Sequence, residues 1–266
     1  MKSLNGSELA GYIKERQFQV VRGMKARLGR SPKLLIIRDS DNLVITKYVN
    51  LKKRYGEDIG VEVEDFYARS SDEIREKILV ANKDVAVDGI IVQLPIVERE
   101  MTDELTGLIA PEKDVDGLSR DGGFDSATAT AINWLLAGYG INLVGPRIAL
   151  VGYGKLVGAP LYKMWSNSGC DVTVFRRGDD LGRLIDFDII VTATGVPGLI
   201  KSEMVREEAV VVDAGTASEG GVLVGDVSDE VRAREDLTAI TPRVGGVGPL
   251  TVTCLFEHVI EAAEKK

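Results

Sequence analysis

The sequence predicts an α/β protein of two lobes, each built from parallel βαβ units, with a cleft between them. Three observations predict it. Short β-rich runs alternate with helix-period segments from one end of the chain to the other. No internal repeat or low-complexity tract interrupts that alternation. A Pro/Gly/Asp-rich passage, PEKDVDGLSRDGG, divides it near residue 120 into two series. At 266 residues, 44% hydrophobic and 28% charged, the chain is long enough for one large or two modest cores.

In the first series a helix expected near residues 6–28 precedes the strand KLLIIRD. VITKYVNLKKRYGEDIG then has helical period, with Val44, Ile45, Tyr48, Leu51, Tyr55 and Ile59 on one apolar stripe. The strand VEVEDFY follows, then a helix from about Ser71, then the strand DGIIVQLP. The second series opens with the helix SATATAINWLLAGYG and the strand RIALVG. It continues through LVGAPLYKMWSNSG, DVTVF, DIIVTATG, AVVVDAG and TAITP to an amphipathic helix at about Leu250–Ala263. Strands separated by helical segments pair in parallel, because only a crossover returns the chain in the same direction.

Composition narrows the function. A formal net charge of −8 and a pI of about 5.0 argue against nucleic acid or an anionic membrane surface as partner. A small anionic substrate remains compatible, since a basic pocket can exist on an acidic protein. The start, MKSLNGSELA, lacks the apolar core of a signal peptide, and no run approaches a membrane span. Cys170 and Cys254 have neither CxxC spacing nor a disulfide framework. A soluble cytoplasmic protein is expected. With His258 the only histidine, a His-rich metal site and a Ser-His-Asp triad are both disfavoured, and no metal is expected. Chemistry then falls to Lys, Tyr, carboxylates or a bound cofactor.

RIALVGYGKLVGAPL reads as a strand, a glycine turn and a helix start. Gly152 and Gly154 let the backbone turn tightly towards a pyrophosphate, and the helix N-terminus offers free N–H groups. This makes the second lobe a Rossmann-like dinucleotide-binding domain; the plain alternative is a tight structural turn. The spacing is GxGxxxG, with Val157 where a third glycine is usual and Gly158 one place later. DVTVF ends in Arg176 and Arg177, where an NAD site usually has an acidic residue for the ribose hydroxyl. Paired arginines suit a 2′-phosphate, so NADP is favoured over NAD. A solvated basic pair beside Asp179 and Asp180 is the other reading.

Lys52 sits inside the apolar stripe, one turn after Tyr48. A buried lysine has a lowered pKa unless a counter-charge supports it, which suits a proton carrier near neutral pH. Tyr48, at i−4, is within reach to share a hydrogen bond. Alternatively the alkyl stem packs while the ammonium reaches water. The Tyr-x-x-x-Lys spacing also occurs in short-chain dehydrogenases, but there the glycine loop comes first and the pair follows in the same domain; here the order is reversed. DGIIVQLP closes with Gln93, Leu94 and Pro95, where ligands meet parallel sheets, and PEKDVDG offers Asp114 and Asp116. A loop-capping amide and turn-forming aspartates are the simpler readings.

Taken with YVNLK, DGIIVQLP, PEKDVDG, GYGKLVGAP, VVVDAG, GDV and TPRVGGVGPLT, the chain resembles the bifunctional methylenetetrahydrofolate dehydrogenase/methenyltetrahydrofolate cyclohydrolase family over nearly its whole length. The resemblance implies Lys52 as the acid/base group of the cyclohydrolase and Gln93 as its hydrogen-bond partner. It implies Tyr48 stacking on the folate, Asp116 on the pterin nitrogens, and Leu94, Gly245, Gly246, Val247, Gly248 and Pro249 along the substrate. NADP would be held by Gly152, Tyr153, Gly154, Arg176 and Arg177, with Thr216 near the nicotinamide. It further implies a folate-binding catalytic domain at 1–119, an NADP domain at 120–249, a final helix (250–266) packed back on the first domain, and a homodimer. A monofunctional NAD(P)-dependent dehydrogenase and a non-catalytic dinucleotide-binding module are the rival readings.

The sequence departs from the family at several positions. The usual Gly-Arg-Ser of the phosphate loop is Gly152-Tyr153-Gly154, Pro-Cys-Thr-Pro is SATA at 126–129, and Ile45 replaces a serine. Arg243 and Val244 replace Val-Pro, which bears on loop shape or on the folate's glutamate tail.

Overall fold

The computed structural model describes residues 1–119, 122–215, 217–219 and 222–266. In chain order its first elements are β1 (Lys2–Ser3), α1 (Gly6–Leu28), β2 (Lys33–Arg38), α2 (Leu43–Ile59), β3 (Glu62–Tyr67), α3 (Ser71–Lys83), β4 (Gly89–Val92) and α4 (Thr102–Gly107). There follow α5 (Ala127–Gly138), β5 (Arg147–Val151), α6 (Gly158–Asn167), β6 (Asp171–Phe175), β7 (Ile189–Thr192) and β8 (Val210–Asp213). The last are β9 (Ala217–Glu219), β10 (Val222–Val224), α7 (Asp229–Arg232), β11 (Ala239–Ile240) and α8 (Val247–Glu264). The expected parallel α/β architecture is the one observed.

Two compact units result, one of Gly11–Ala127 with Val252–Lys266, the other of Met1–Ala10 with Thr128–Thr251. The first holds a parallel sheet in the order β3-β2-β4. Its central strand is buried on both faces: Leu34, Leu35, Ile36 and Ile37 are fully enclosed, the continuous apolar run of a covered parallel strand. The Asn42 side chain caps α2 by accepting the Ile45 N–H at 2.9 Å. Gly60 closes that helix at φ 84°, a left-handed position where glycine carries no Cβ penalty. Ser70 caps α3 by accepting the Glu73 N–H, while the Glu73 carboxylate accepts the N–H of Arg69.

The buried face of α2 differs from the stripe read off the sequence. Ile45, Val49, Tyr55 and Ile59 are buried, whereas Val44 and Leu51 are exposed. Gly56 sets this orientation: a Cβ there would lie 2.5 Å from Val63 Cγ2 and 3.3 Å from the Phe256 ring. At ~100° per residue, Val44 and Leu51 fall to the flank of the Ile45–Gly56 line, and Lys52 falls almost on it.

The other unit holds six parallel strands in the order β1-β11-β8-β7-β5-β6. Residues 1–10, which the sequence groups with the first lobe, cluster here because Lys2 and Ser3 pair with Ala239 and Ile240. A two-residue strand leaves no periodicity to read. The final helix starts at Val247, a turn before the expected Leu250, with Pro249 in the first turn where its missing N–H costs nothing.

Candidate active site

Lys52 is held where a polar group is least expected, in the middle of the buried face of α2. Its Nζ donates to Gln93 Oε1 at 2.6 Å. Gln93 stands just past β4, where its N–H donates to Ile37 O at 2.8 Å and its Nε2 to Leu94 O at 3.1 Å. The residue is therefore both a local loop brace and the lysine's partner. Burial pulls the Lys52 pKa below its ordinary value, and the Asp116 carboxylate pulls it part of the way back. The side chain is half-buried, and its ammonium has a protein partner in the Gln93 amide.

The two aspartates of PEKDVDG separate into different tasks. Asp114 shapes the turn: its Oδ2 accepts Ser119 N–H at 2.7 Å and its carbonyl accepts Gly117 N–H at 3.1 Å. Asp116 is the electrostatic neighbour of Lys52. Burial raises its pKa, Lys52 lowers it, Asp114 raises it and His258 lowers it. His258, on α8, bonds through Nδ1 to Val115 O at 2.8 Å and stacks on Phe124. The sequence alone uses this histidine only to disfavour a His-rich metal site and a Ser-His-Asp triad. Among the described residues, no group of three or more His, Cys, Asp or Glu could hold a metal ion.

Tyr48 differs from the expectation. It makes no hydrogen bond to Lys52 among the described residues, and burial alone raises its phenol pKa. Two turns on, Tyr55 donates to Gln17 Oε1 at 2.8 Å, and Gln17 Nε2 donates to Thr253 O at 3.0 Å.

In the other unit the glycine turn is tightly packed at both ends. Gly152 sits at φ 99°, and a Cβ on it would lie 2.7 Å from Ala193 O. Gly158 begins α6, and a Cβ there would lie 2.2 Å from Gly152 O. Gly158 thus does the close-packing work of the usual third glycine, one residue late, with Val157 as the N-cap. Gly154 has nothing within 4 Å of its Cβ direction, leaving the turn open for a ligand's approach. The Arg176 guanidinium lies 4.2 Å from the Tyr153 ring centroid, and Tyr162 packs edge-on to Tyr153 at 5.7 Å. Asp179 and Asp180 bind the backbone N–H groups of Arg176 and Gly182 at 2.6 and 2.9 Å rather than either guanidinium. Arg177 is exposed. Thr216 lies outside the described residues.

The TPRVGGVGP stretch is in the same unit. Gly245, at φ 87°, accepts the Ser7 N–H through its carbonyl at 3.0 Å, and Gly246 O fills the space of a Gly6 Cβ. Val247, Gly248 and Pro249 form the first turn of α8. Arg243 pairs with Asp229. Sequence reading missed a buried carboxylate network next to the glycine turn. Asp226 Oδ2 accepts Thr192 Oγ1 and Thr194 N–H, both at 2.6 Å. Asp213 accepts the N–H groups of Gly215, Asp226 and Val227 and pairs with Arg232. VVVDAG and GDV carry these aspartates, yet nothing in either motif reveals that they bind each other's loops.

A glycine-turn sheet and a second parallel unit with a half-buried amine, amide and carboxylate define an α/β enzyme of the dinucleotide-binding class. The family model of the tetrahydrofolate dehydrogenase/cyclohydrolase catalytic domain matches residues 4–116, and that of the family's NAD(P)-binding domain matches residues 126–266. The chain belongs to the tetrahydrofolate dehydrogenase/cyclohydrolase family. The bifunctional protein FolD of Aquifex aeolicus is 36% identical, with 99% of this chain and 95% of that one aligned. The crystal structure of the Campylobacter jejuni bifunctional FolD superposes with a TM-score of 0.93 at 32% identity, covering 100% of this chain and 99% of that one. The Trypanosoma brucei enzyme, complexed with NADP cofactor and inhibitor, gives 0.90 at 29% identity, covering 99% and 97%.

Proposed function

We propose that this chain oxidises 5,10-methylenetetrahydrofolate to 5,10-methenyltetrahydrofolate with NADP and hydrolyses that product to 10-formyltetrahydrofolate. Membership of the family and the matches to both of its domain models support the pair of activities. The observation that carries the hydrolytic half is Lys52 Nζ, 2.6 Å from Gln93 Oε1 and under the influence of Asp116.

Hydride loss from the carbon between N5 and N10 is assisted by a nitrogen lone pair, which stabilises the cation formed. NADP, when bound, supplies the hydride acceptor at nicotinamide C4. The protein's task in this step is to bind and orient. The backbone at Gly152–Gly154 and the N-terminus of α6 would receive the pyrophosphate. Arg176, steadied on Tyr153, and Arg177 would receive the 2′-phosphate, with Thr216 near the nicotinamide. Tyr48 and Leu94 would lie along the folate, Asp116 would bind its pterin nitrogens, and Gly245 to Pro249 would follow the substrate.

Hydrolysis asks more of the side chains. Water adds to the methenyl carbon and loses a proton, and a ring nitrogen gains one as the ring opens. Lys52, its pKa lowered by burial, accepts and returns that proton. Gln93 keeps Nζ in position, so loss of either side chain disables the step.

Residues 1–119 with the helix at 250–266 would serve folate, and residues 120–249 would serve NADP. We further assign a cytoplasmic homodimer working on small molecules without nucleic acid; the net charge of −8 supports the last point. No helix among the described residues is long and apolar enough to cross a membrane. The test supplies methylenetetrahydrofolate with NADP or NAD and follows reduced cofactor and methenyl product separately. Both signals with NADP, and methenyl that decays faster than without enzyme, are expected. Reduced cofactor with persistent methenyl product would replace this reading by a monofunctional dehydrogenase.

A further inference from the structure

The loops after β2, β3 and β4 line a partly open cavity of about 110 Å³, bounded by Asp39, Arg69, Ser70, Ser71, Val97 and Glu98. It lies on the α3 side of the sheet. Ile37 and Val92 pack there with Ile74 and Ile78 of α3, and strand alternation turns Gln93 to the opposite face, where it meets Lys52. The cavity is therefore separate from the amine site.

Its walls carry unspent hydrogen-bonding capacity. Asp39 is 9% exposed; its Oδ2 accepts the Val97 N–H at 2.8 Å, and its Oδ1 has no partner among the described residues. Ser71 is 6% exposed, and its Oγ has no partner among the described residues. A buried carboxylate oxygen without a donor is costly, and native proteins rarely leave one. Ser70 Oγ is already taken by Glu73 N–H. Ser71 and Asp72 begin α3, where the first N–H groups of a helix lack partners and carry positive dipole. Arg69, exposed at the rim, forms no ion pair among the described residues.

Charge of both signs meets in one small space. An anion alone would face Asp39 and Glu98, and a cation alone would face Arg69 and the positive end of α3. At ~30 Å³ for each water, the volume corresponds to about four waters, a span that suits a molecule of very few heavy atoms. We infer that this cavity binds a small zwitterion, an α-amino acid of glycine to serine size, with its ammonium on Asp39 and its carboxylate on Arg69, Ser71 and the α3 N-terminus.

Calorimetric titration of the full chain with glycine, acetate and methylammonium tests this. Glycine should bind, with each half-analogue weaker by about tenfold or more, the usual worth of a hydrogen bond to a charged group. Arg69→Gln, a rim change, should weaken glycine about tenfold and leave the NADP-linked rate unchanged. Asp39→Asn should remove glycine binding, because the amide oxygen can still hold Val97 N–H but no longer supplies charge. If Asp39→Asn fails to fold, the two half-analogues and Arg69→Gln decide alone. Absence of heat with glycine would mean a water-filled cavity and overturn the proposal. Acetate equal to glycine would mean a plain anion site, methylammonium equal to glycine a plain cation site, and unchanged affinity in Arg69→Gln no carboxylate pairing; each overturns it.

Discussion

Lys52 Nζ and Gln93 Oε1 stand 2.6 Å apart across 41 residues of sequence. One belongs to the middle of a helix, the other to the loop leaving the adjacent strand, and the sheet register fixes both. Because an ammonium only donates, the amide must present its oxygen, and Gln93 Nε2 is left to brace Leu94 O. The pair is thus a rigid mount for one titratable group.

Lys52→Met should separate the two activities. The cyclohydrolase rate should fall by about 10²–10⁴, the usual contribution of a positioned acid/base group. NADP affinity should not change, and measurable dehydrogenase activity should persist, because hydride transfer calls on no side-chain base. Single-turnover assays of methenyl hydrolysis alongside reduced-cofactor formation check it. Equal loss of both rates would remove Lys52 from the role assigned above.

Asp116→Asn should move the cyclohydrolase pH profile to lower pH. Burial lowers the Lys52 pKa and the Asp116 carboxylate raises it, so neutralising that carboxylate leaves desolvation unopposed. The sign for stability follows. A lysine with a depressed folded-state pKa destabilises the fold fully below that pKa, and the penalty disappears as pH rises to the unfolded value. In the variant that rising limb should begin at lower pH, which melting curves across a pH series will show. The folate KM should rise about tenfold if Asp116 also holds the pterin.

Arg176→Ala should weaken NADP by about 10–100-fold, the worth of a charge-assisted bond, and NAD by far less. Tyr153→Ala removes only the ring beneath the guanidinium, an exposed cation–π contact worth about 0.5–1 kcal/mol, and should cost NADP a few-fold. Initial rates with each cofactor check both. A similar loss for NAD and NADP would show that neither residue reads the 2′-phosphate.

The fold was legible because strands such as β2, β4, β7 and β8 are continuous apolar runs and α2, α3 and α6 mark the crossovers beside them, signals that survive without coordinates. Lys52 was legible for a related reason: a charge in the centre of an apolar stripe violates the pattern. The stripe itself was read about 40° off the buried face, since Val44 and Leu51 count as apolar whichever way Gly56 turns the helix. Asp213 and Arg232 escaped notice because their pairing spans 19 residues and a change of strand, and no local spacing encodes it. Asp39 escaped for the same reason, its partner being the Val97 N–H after another strand.

The last two glycines of the phosphate turn should respond to alanine in different ways. At Gly158 the new methyl would sit 2.2 Å from Gly152 O and 2.8 Å from Tyr153 Cα, both backbone, so α6 must shift away from the turn. Overpacking of this kind costs about 1–3 kcal/mol, and the displaced helix end should lose NADP as well. At Gly154 the methyl meets no atom within 4 Å and the backbone is not left-handed, so stability should stay within about 0.5 kcal/mol of wild type. NADP affinity should still fall there, because the methyl occupies the approach of the pyrophosphate. Thermal melts combined with NADP titration separate the two: Gly158→Ala loses both properties, Gly154→Ala only the second. A Gly154→Ala protein that binds NADP normally would move the pyrophosphate away from this turn.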